Sequence, residues 1–148
     1  MDAQAQADIQ NVLSRLYAAL DARAYDEVAG CFHPQGEWHR QGKLLYGHGE
    51  IVQALQQRSP TLVVHHLYGN CLFMPGTAGS VAVQYLLTVF QLESQDTAAD
   101  RRIANPPQIG FCDAQLTRVG AGWRILSMKA RTPTFTAVLT PPAAAART

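Results

Sequence analysis

The chain changes from helix-type to strand-type sequence at Pro60, and this change constrains its fold more than any other feature. Before Pro60, apolar residues recur at the three- and four-residue spacing of amphipathic helices. After it, runs rich in β-branched and aromatic residues alternate with glycine and proline turns. Helices that come first and hairpin-linked strands that follow predict an α+β fold, with the helices on one face of a mostly antiparallel sheet.

Three helices are predicted in the first part of the chain. The first covers about residues 4–21, and its apolar stripe consists of Ile9, Val12, Leu13, Leu16, Tyr17 and Leu20. The second is shorter and is predicted to end at Pro34; its stripe consists of Tyr25, Val28, Ala29 and Phe32. Residues 37–39 and 43–46 then predict a short hairpin that turns at Gln41-Gly42. A third helix, with Ile51, Val52 and Leu55 on its stripe, is predicted to end at Ser59-Pro60.

Four long strands are predicted over residues 61–74, 80–92, 108–119 and 123–132. The connection over residues 94–107 is longer than a hairpin needs, so it is a candidate lid or dimer-contact loop. Apolar residues near the C-terminus are predicted to cover the open end of the fold: Phe135, Val138 and Leu139. Residues 141–148 are predicted to be a flexible tail, which leaves residues 1–140 as a single domain.

The strand over residues 81–90 carries apolar side chains on both alternating faces. A strand with one face in water alternates more cleanly between apolar and polar residues. Both faces of this strand are therefore expected to be covered, one by the helices and the other by a second copy of the chain. The sequence predicts a homodimer through the outer face of the sheet.

The charge balance gives no sign of a nucleic-acid or membrane partner. Lys and Arg total 12 against 11 acids, so the formal net charge is +1, and no apolar run is long enough to span a bilayer. The polar, acidic N-terminus lacks the pattern of a secretion signal. Three widely spaced cysteines are expected to stay reduced, which predicts a cytoplasmic protein.

The order of several short motifs resembles the nuclear transport factor 2-like superfamily, and within it the SnoaL-like branch. The motifs are Tyr17-Ala18-Ala19-Leu20-Asp21 with Tyr25-Asp26, Cys31-Phe32-His33-Pro34, Tyr46-Gly47-His48-Gly49-Glu50-Ile51, Val64-His65-His66-Leu67 and Gly122-Trp123-Arg124-Ile125. The resemblance covers about residues 5–135. It implies a cone in which three N-terminal helices pack on a strongly curved, mostly antiparallel sheet and enclose a hydrophobic pocket. The superfamily includes ketosteroid isomerase, scytalone dehydratase and polyketide cyclases, and also members that only bind or assemble, so the fold alone fixes no reaction.

Asp21 and His66 are the candidate catalytic residues. Asp21 lies at the edge of the first helix's apolar stripe and near its C-terminus, where a negative charge opposes the helix dipole. His66 shares one strand face with Val64 and Tyr68. An imidazole oriented by a carboxylate is a suitable base for a proton next to a carbonyl. The alternatives are a solvated or helix-capping acid and a histidine satisfied within the core.

The resemblance to scytalone dehydratase places that enzyme's helix acid and first-strand histidine on Asp21 and His66. Its second-strand histidine falls near Tyr85, and its third-strand polar residues fall near Gly110 and Cys112. Because these positions depart from the pattern, scytalone itself is not the expected substrate.

Several further residues are candidates for substrate binding. Tyr17, Tyr46, Tyr68 and Tyr85 could donate a hydrogen bond to a ligand carbonyl or enolate, or could be ordinary core and rim residues. Cys112 and Trp38 are candidates for contact with the ligand, and packing is the alternative for Trp38.

Neither a metal nor a cofactor is expected. The pairs Cys31/His33 and Glu37/His39 each lack a second pair at a recognised spacing, and no glycine-rich phosphate loop follows a strand.

Three functions remain open on the sequence. The first is a cofactor-free lyase, isomerase or cyclase acting on a small hydrophobic carbonyl compound, polyketide-like or aromatic. The second is a non-catalytic protein that binds a small hydrophobic ligand. The third is an assembly subunit similar to the small β subunit of ring-hydroxylating dioxygenases.

Overall fold

The computed structural model of the chain describes residues 1–93, 102–131 and 135–136, and for residues 93, 102–106, 135 and 136 it describes the backbone only. Within these ranges the helices are α1 (Ala3–Asp21), α2 (Tyr25–Gly30) and α3 (Gly47–Gln56). The strands are β1 (Phe32–Arg40), β2 (Lys43–Tyr46), β3 (Leu62–Pro75), β4 (Val81–Glu93), β5 (Arg102–Val119), β6 (Gly122–Ala130) and the two-residue β7 (Phe135–Thr136). No helix in this part of the chain is both long and apolar enough to cross a membrane.

The strands form one curled, open sheet in the order β2-β1-β6-β5-β4-β3, with β7 pairing with β5. All neighbours are antiparallel except β1 and β6, which are parallel. The three helices pack on this sheet, and the predicted α+β fold is confirmed. The predicted tail (residues 141–148) and the predicted cover at Val138 and Leu139 lie outside the described residues, as do residues 94–101 of the predicted lid.

Helix α1 supplies most of the apolar surface that faces the sheet. The Asp2 side chain accepts a hydrogen bond from the Ala5 backbone N–H at 2.7 Å and so caps the first turn. The apolar residues of the predicted stripe are buried, and the helix lies against β3 and β6. This packing holds the last residue of α1, Asp21, beside the middle of β3.

The β1–β2 hairpin forms where the sequence predicts it. Arg40 pairs with Lys43 across a two-residue turn in which Gln41 and Gly42 both have positive φ angles, 51° and 76°. Two positive φ angles are the requirement of the tight turns that match strand twist. The hairpin therefore pairs in register, with β1 beside β6 and β2 at the edge of the sheet.

The predicted second helix is too long by several residues. It ends at Gly30, and Phe32 begins β1, where it is fully buried and pairs with Ile125 of β6. A single buried aromatic residue fits the end of a helix stripe and the start of a strand equally well, so periodicity does not separate them. Gly36 allows the two strands to meet, since a Cβ there would lie 2.8 Å from the Ile125 carbonyl oxygen.

The predicted polar connection before β5 is also too long. Strand β5 begins at Arg102 and runs through Pro106-Pro107. The ladder with β4 shifts register between the pairs Val89↔Gln108 and Gln91↔Asn105, at the position of the two prolines. Proline lacks the N–H that a regular ladder requires and is accommodated at such irregularities. Residues 102–107 are therefore strand and not part of a loop.

Candidate functional site

A cavity of about 670 Å³ lies between the inner face of the sheet, the β1–β2 hairpin and the end of α3. Small-molecule sites typically measure roughly 300–1,000 Å³. Its lining includes Tyr17, Leu20, Trp38, Val64, His66, Leu87, Val89, Cys112 and Met128, and at the hairpin and the end of α3 it includes Arg40, Lys43, Leu44 and Arg58. The lining combines apolar side chains with amide and charged ones, which suits a small ligand that has an apolar body and a polar group.

Asp21 and His66 are in direct contact at the edge of this cavity. The His66 ring nitrogen Nδ1 lies 2.6 Å from Asp21 Oδ1, and the His66 backbone N–H donates to Asp21 Oδ2 at 3.1 Å. The His65 ring lies further from the same carboxylate, with Nδ1 at 3.7 Å from Oδ2. His66 lines the cavity, whereas the Asp21 carboxylate lies behind it. The structure thus brings together the two residues that the sequence pairs as base and orienting acid.

The protonation state of His66 follows from its surroundings. Burial lowers the pKa of His66 and outweighs the opposing effect of Asp21, so the ring is neutral at pH 7. A carboxylate only accepts hydrogen bonds, so Nδ1 carries the proton and Nε2 has a free lone pair. None of the described residues gives Nε2 a hydrogen-bond partner. The arrangement leaves Nε2 able to take a proton from a ligand.

Tyr17 lies beside this pair. Its ring centroid is 5.1 Å from that of His66, and its hydroxyl oxygen is 2.7 Å from the Tyr85 hydroxyl oxygen. Burial raises the pKa of Tyr17 well above its ordinary value, so the phenol keeps its proton at neutral pH. When the Tyr85 hydroxyl donates to it, Tyr17 keeps its own proton and is a neutral hydrogen-bond donor that lines the cavity.

The other three tyrosines that the sequence offers for ligand binding, Tyr46, Tyr68 and Tyr85, are not among the residues that line the cavity. Tyr46 is half exposed on the short strand β2. Tyr85 is fully buried behind Tyr17, and its hydroxyl oxygen lies 3.5 Å from Met128 Sδ. The Tyr68 hydroxyl reaches α1 instead, where it donates to the Gln10 carbonyl at 2.9 Å. Tyr68 and Tyr85 therefore support Tyr17 and do not reach the ligand space.

Cys112 and Trp38 both line the cavity. Burial raises the pKa of the Cys112 thiol to about 11, so it is protonated at neutral pH and is not poised as a nucleophile. The Trp38 ring is buried and stacks on Phe32, with ring centroids 5.6 Å apart. Trp38 thus combines a packing role with a surface that a flat ligand could contact.

Two arginines in the lining were not among the sequence candidates. The Arg40 guanidinium lies 5.6 Å from the Trp38 ring centroid and donates to Gln41 Oε1 at 3.0 Å. Arg58 donates to the Leu20 carbonyl at 2.8 Å. A signal existed for Arg40, because it alternates with Trp38 along β1 and shares its face. Arg58 follows Leu55 by three residues and so continues the buried stripe of α3.

The pairs Cys31/His33 and Glu37/His39 have the residue types of metal ligands. His39 Nε2 lies 3.7 Å from Glu37 Oε2, and both side chains are well exposed. Among the residues that the structure describes, no three His, Cys, Asp or Glu side chains are grouped so as to hold a metal ion.

A family model described as the SnoaL-like domain matches residues 1–129. The sequence matches none of the curated proteins with which it was compared.

Solved structures with the same fold include three at low sequence identity. Aln2 from a Streptomyces species is 18% identical, with 89% of this chain and 93% of that chain covered and a TM-score of 0.73. ActVI-ORFA from Streptomyces coelicolor is 14% identical, with 85% and 95% covered and a TM-score of 0.71. A candidate scytalone dehydratase from Novosphingobium aromaticivorans is 14% identical, with 89% and 85% covered and a TM-score of 0.71. At these identities the likeness shows the fold alone.

Proposed function

The chain belongs to the SnoaL-like family of the NTF2-like superfamily, and from that premise we propose that it is a cofactor-free lyase, isomerase or cyclase acting on a small hydrophobic carbonyl compound. Membership supports a small-molecule cyclase- or isomerase-like role in general. The finer proposal is that His66 removes a proton next to the substrate carbonyl and that Asp21 orients and supports it. A polyketide-like or aromatic substrate suits the apolar part of the lining, which includes Trp38, Val64 and Leu87.

The observation that carries the proposal is the 2.6 Å contact between His66 Nδ1 and Asp21 Oδ1 at the cavity edge. The carboxylate holds the ring in the tautomer whose Nε2 accepts a proton, and it stabilises the imidazolium that forms when Nε2 takes one. Positioned bases of this kind contribute about 10²–10⁴-fold to a rate. The lowered pKa of His66 keeps the base in its active, neutral form at pH 7.

Tyr17 is the proposed partner for the negative charge that this step creates. Removal of the α-proton moves an electron pair onto the carbonyl oxygen and gives an enolate. A phenol in a site with little water stabilises such an oxygen more than bulk water does. Tyr17 is 5% exposed, so its phenol is shielded from water, and its ring lies beside that of His66. It is therefore placed to stabilise the enolate oxygen. His66 then returns its proton to carbon, or to a leaving hydroxyl group, which gives isomerisation or dehydration.

Exchange of carbon-bound protons tests the first step without knowledge of the natural substrate. The probe is 2-tetralone, a bicyclic aromatic ketone, in D₂O, with its α-proton signals followed by NMR. We expect the wild-type protein to exchange these protons faster than buffer does, and His66→Ala to lose the effect. Tyr46→Phe, which alters an exposed tyrosine outside the cavity, is the control and should retain it.

Two outcomes would contradict the proposal. Equal exchange by the wild type and His66→Ala would remove His66 from the chemistry. Binding of the ketone with no exchange would favour the non-catalytic ligand-binding function, in which the same cavity and the same residue pair only hold the ligand.

We also propose that the protein is a homodimer through the outer face of the sheet. Side chains that point away from the helices form an apolar group on three neighbouring strands: Leu67, Leu86, Phe90, Ile109 and Phe111. Leu86 pairs with Phe111, and Leu67 and Ile109 both pair with Thr88, so the group is contiguous. Leu67 is 62% exposed, which is unfavourable for a face left in water.

A further inference from the structure

Arg40 and Arg58 bring two positive charges to the same cavity as His66. They come from different elements, because Arg40 ends β1 and Arg58 follows α3. Lys43 and Lys129 also line the cavity, and no Asp or Glu does among the described residues. The ligand space is therefore cationic, although the chain as a whole carries a formal net charge of only +1.

Neither guanidinium is neutralised by the described part of the chain. No carboxylate there pairs with Arg40 or Arg58. Each guanidinium has five N–H donors. The bonds to Gln41 and to the Leu20 carbonyl use one donor on each side chain and neutralise neither charge. Two partly buried, unpaired cations in one cavity are unfavourable unless an anion joins them.

The two arginines also act on each other and on His66. Burial and then the charge of Arg58 lower the pKa of Arg40, and the charges of both arginines help to lower the pKa of His66. All three side chains line the same cavity of about 670 Å³, so one small ligand in that cavity is placed to contact all of them.

We infer that the ligand carries a carboxylate that Arg40 and Arg58 bind, while its apolar body lies against Trp38 and its carbonyl faces His66. A planar carboxylate matches the fork of a guanidinium and accepts its paired N–H groups. A phosphate monoester has nearly twice the charge and costs more to desolvate in a half-buried site. The inference deepens the proposed function, on which it rests for the role of His66. It makes the substrate class an aromatic or polyketide-like keto acid.

Binding of matched probes tests this inference separately from catalysis. The probes are 1-naphthylacetate, its neutral analogue 1-naphthylacetamide and 1-naphthyl phosphate, with affinity measured by calorimetry at low salt. We expect the wild-type protein to bind the acid about tenfold or more tightly than the amide, because charge-assisted hydrogen bonds are the strong ones. The preference should largely disappear in Arg40→Gln and should weaken as salt is raised.

Two further variants control for charge and for folding. Arg15→Gln removes the same charge from an exposed position on α1 and should keep the preference. Arg58→Lys retains a positive charge where the Leu20 carbonyl needs a donor, and it should reduce the preference only in part.

Three results would overturn the inference: similar affinity for acid and amide in the wild type, no binding of either at millimolar concentration, or tighter binding of the phosphate than of the acid. A preference for the acid together with no proton exchange would leave the carboxylate site standing and reject the proposed catalysis. Proton exchange without a preference for the acid would support the proposed catalysis and reject the carboxylate site.

Discussion

Asp21 accepts hydrogen bonds from both the backbone N–H and the ring Nδ1 of His66. One carboxylate at the end of α1 therefore fixes the position of a strand residue and the tautomer of its side chain. The two oxygens accept from two different donors, so a side chain with only one acceptor oxygen cannot satisfy both hydrogen bonds.

Replacing Asp21 by Asn should impair catalysis more than folding. The amide has one oxygen and one NH₂ group, so it can accept from only one of the two His66 donors. If the NH₂ group faces the ring, Nδ1 becomes the acceptor, the proton moves to Nε2 and the base is lost. We expect a fall of about 10²–10⁴-fold in the exchange rate. Asp113→Asn is the matched control, because Asp113 is paired with Arg131 and does not line the cavity. Equal losses in both variants would contradict the prediction.

The pH dependence of the exchange rate should show that His66 stays neutral at mildly acid pH. Because burial lowers the pKa of His66, the acid limb of the exchange rate should have its midpoint below about 6.5, the ordinary value for histidine. NMR titration of the His66 ring should give the same midpoint. A midpoint above the ordinary value would contradict the burial argument.

The same shift makes stability depend on pH. Between the lowered pKa of the folded state and the ordinary pKa of the unfolded state, unfolding takes up a proton. The contribution of His66 is therefore complete above about pH 6.5 and is lost as the pH falls towards the folded-state pKa. The free energy of unfolding can be measured with denaturant at neutral and at mildly acid pH. It should fall less between these two pH values in His66→Gln than in the wild type.

The Tyr17–Tyr85 hydrogen bond should be visible in a double-mutant cycle. Tyr85→Phe leaves the buried Tyr17 hydroxyl without its 2.7 Å partner, and we expect a cost of about 1–3 kcal/mol in the free energy of unfolding. Tyr17→Phe should cost a similar amount. The double variant should lose less free energy of unfolding than the two single variants lose together, because it leaves no buried hydroxyl group without its partner. Additive losses would mean that the two hydroxyl groups do not depend on each other.

If the protein is a homodimer through the outer face of the sheet, one substitution on that face should halve its molar mass in solution. Leu67→Asp places a charge in the apolar group on the outer face and should convert a dimer into a monomer, as measured by light scattering. Val119→Asp changes another exposed residue, at the end of β5, and should leave the dimer intact. A wild-type protein that is already monomeric at micromolar concentration would reject the dimer.

Much of the fold was predictable because the helical spacing of apolar residues, the alternation along strands and the turn residues are local features of the sequence. The stripe of α1 and the Gln41-Gly42 hairpin are local features, and both are confirmed. The errors at Phe32 and at Pro106-Pro107 have non-local causes. Phe32 is a strand residue because Ile125 lies beside it, and the prolines fit because β5 shifts its register against β4. Neither partner can be identified from the local sequence.

For the candidate site, the sequence predicts which sheet face a side chain points to, but not whether that side chain lines the cavity. Strand alternation indicates that His66, Tyr68 and Tyr85 point inward, and all three do. It does not indicate how far along the cavity each lies, and only His66 reaches the ligand space. Tyr46 lies on a four-residue strand, where alternation is too short to assign a face. Arg40 shares the inward face of Trp38, but long charged side chains are usually solvated, so strand alternation alone was too weak a signal to place it in the cavity.

The parallel pairing of β1 with β6 has a consequence for synthesis of the chain on the ribosome. Trp38 lies opposite Met128, so β1 has been made for about 90 residues before its inner neighbour exists. At about 5–20 residues per second, this leaves β1, which carries Phe32 and Trp38, with one open edge for several seconds. Until β6 emerges, that edge is available to other nascent chains and to chaperones. During that interval the newborn protein presents an edge at which it can pair with other chains and aggregate.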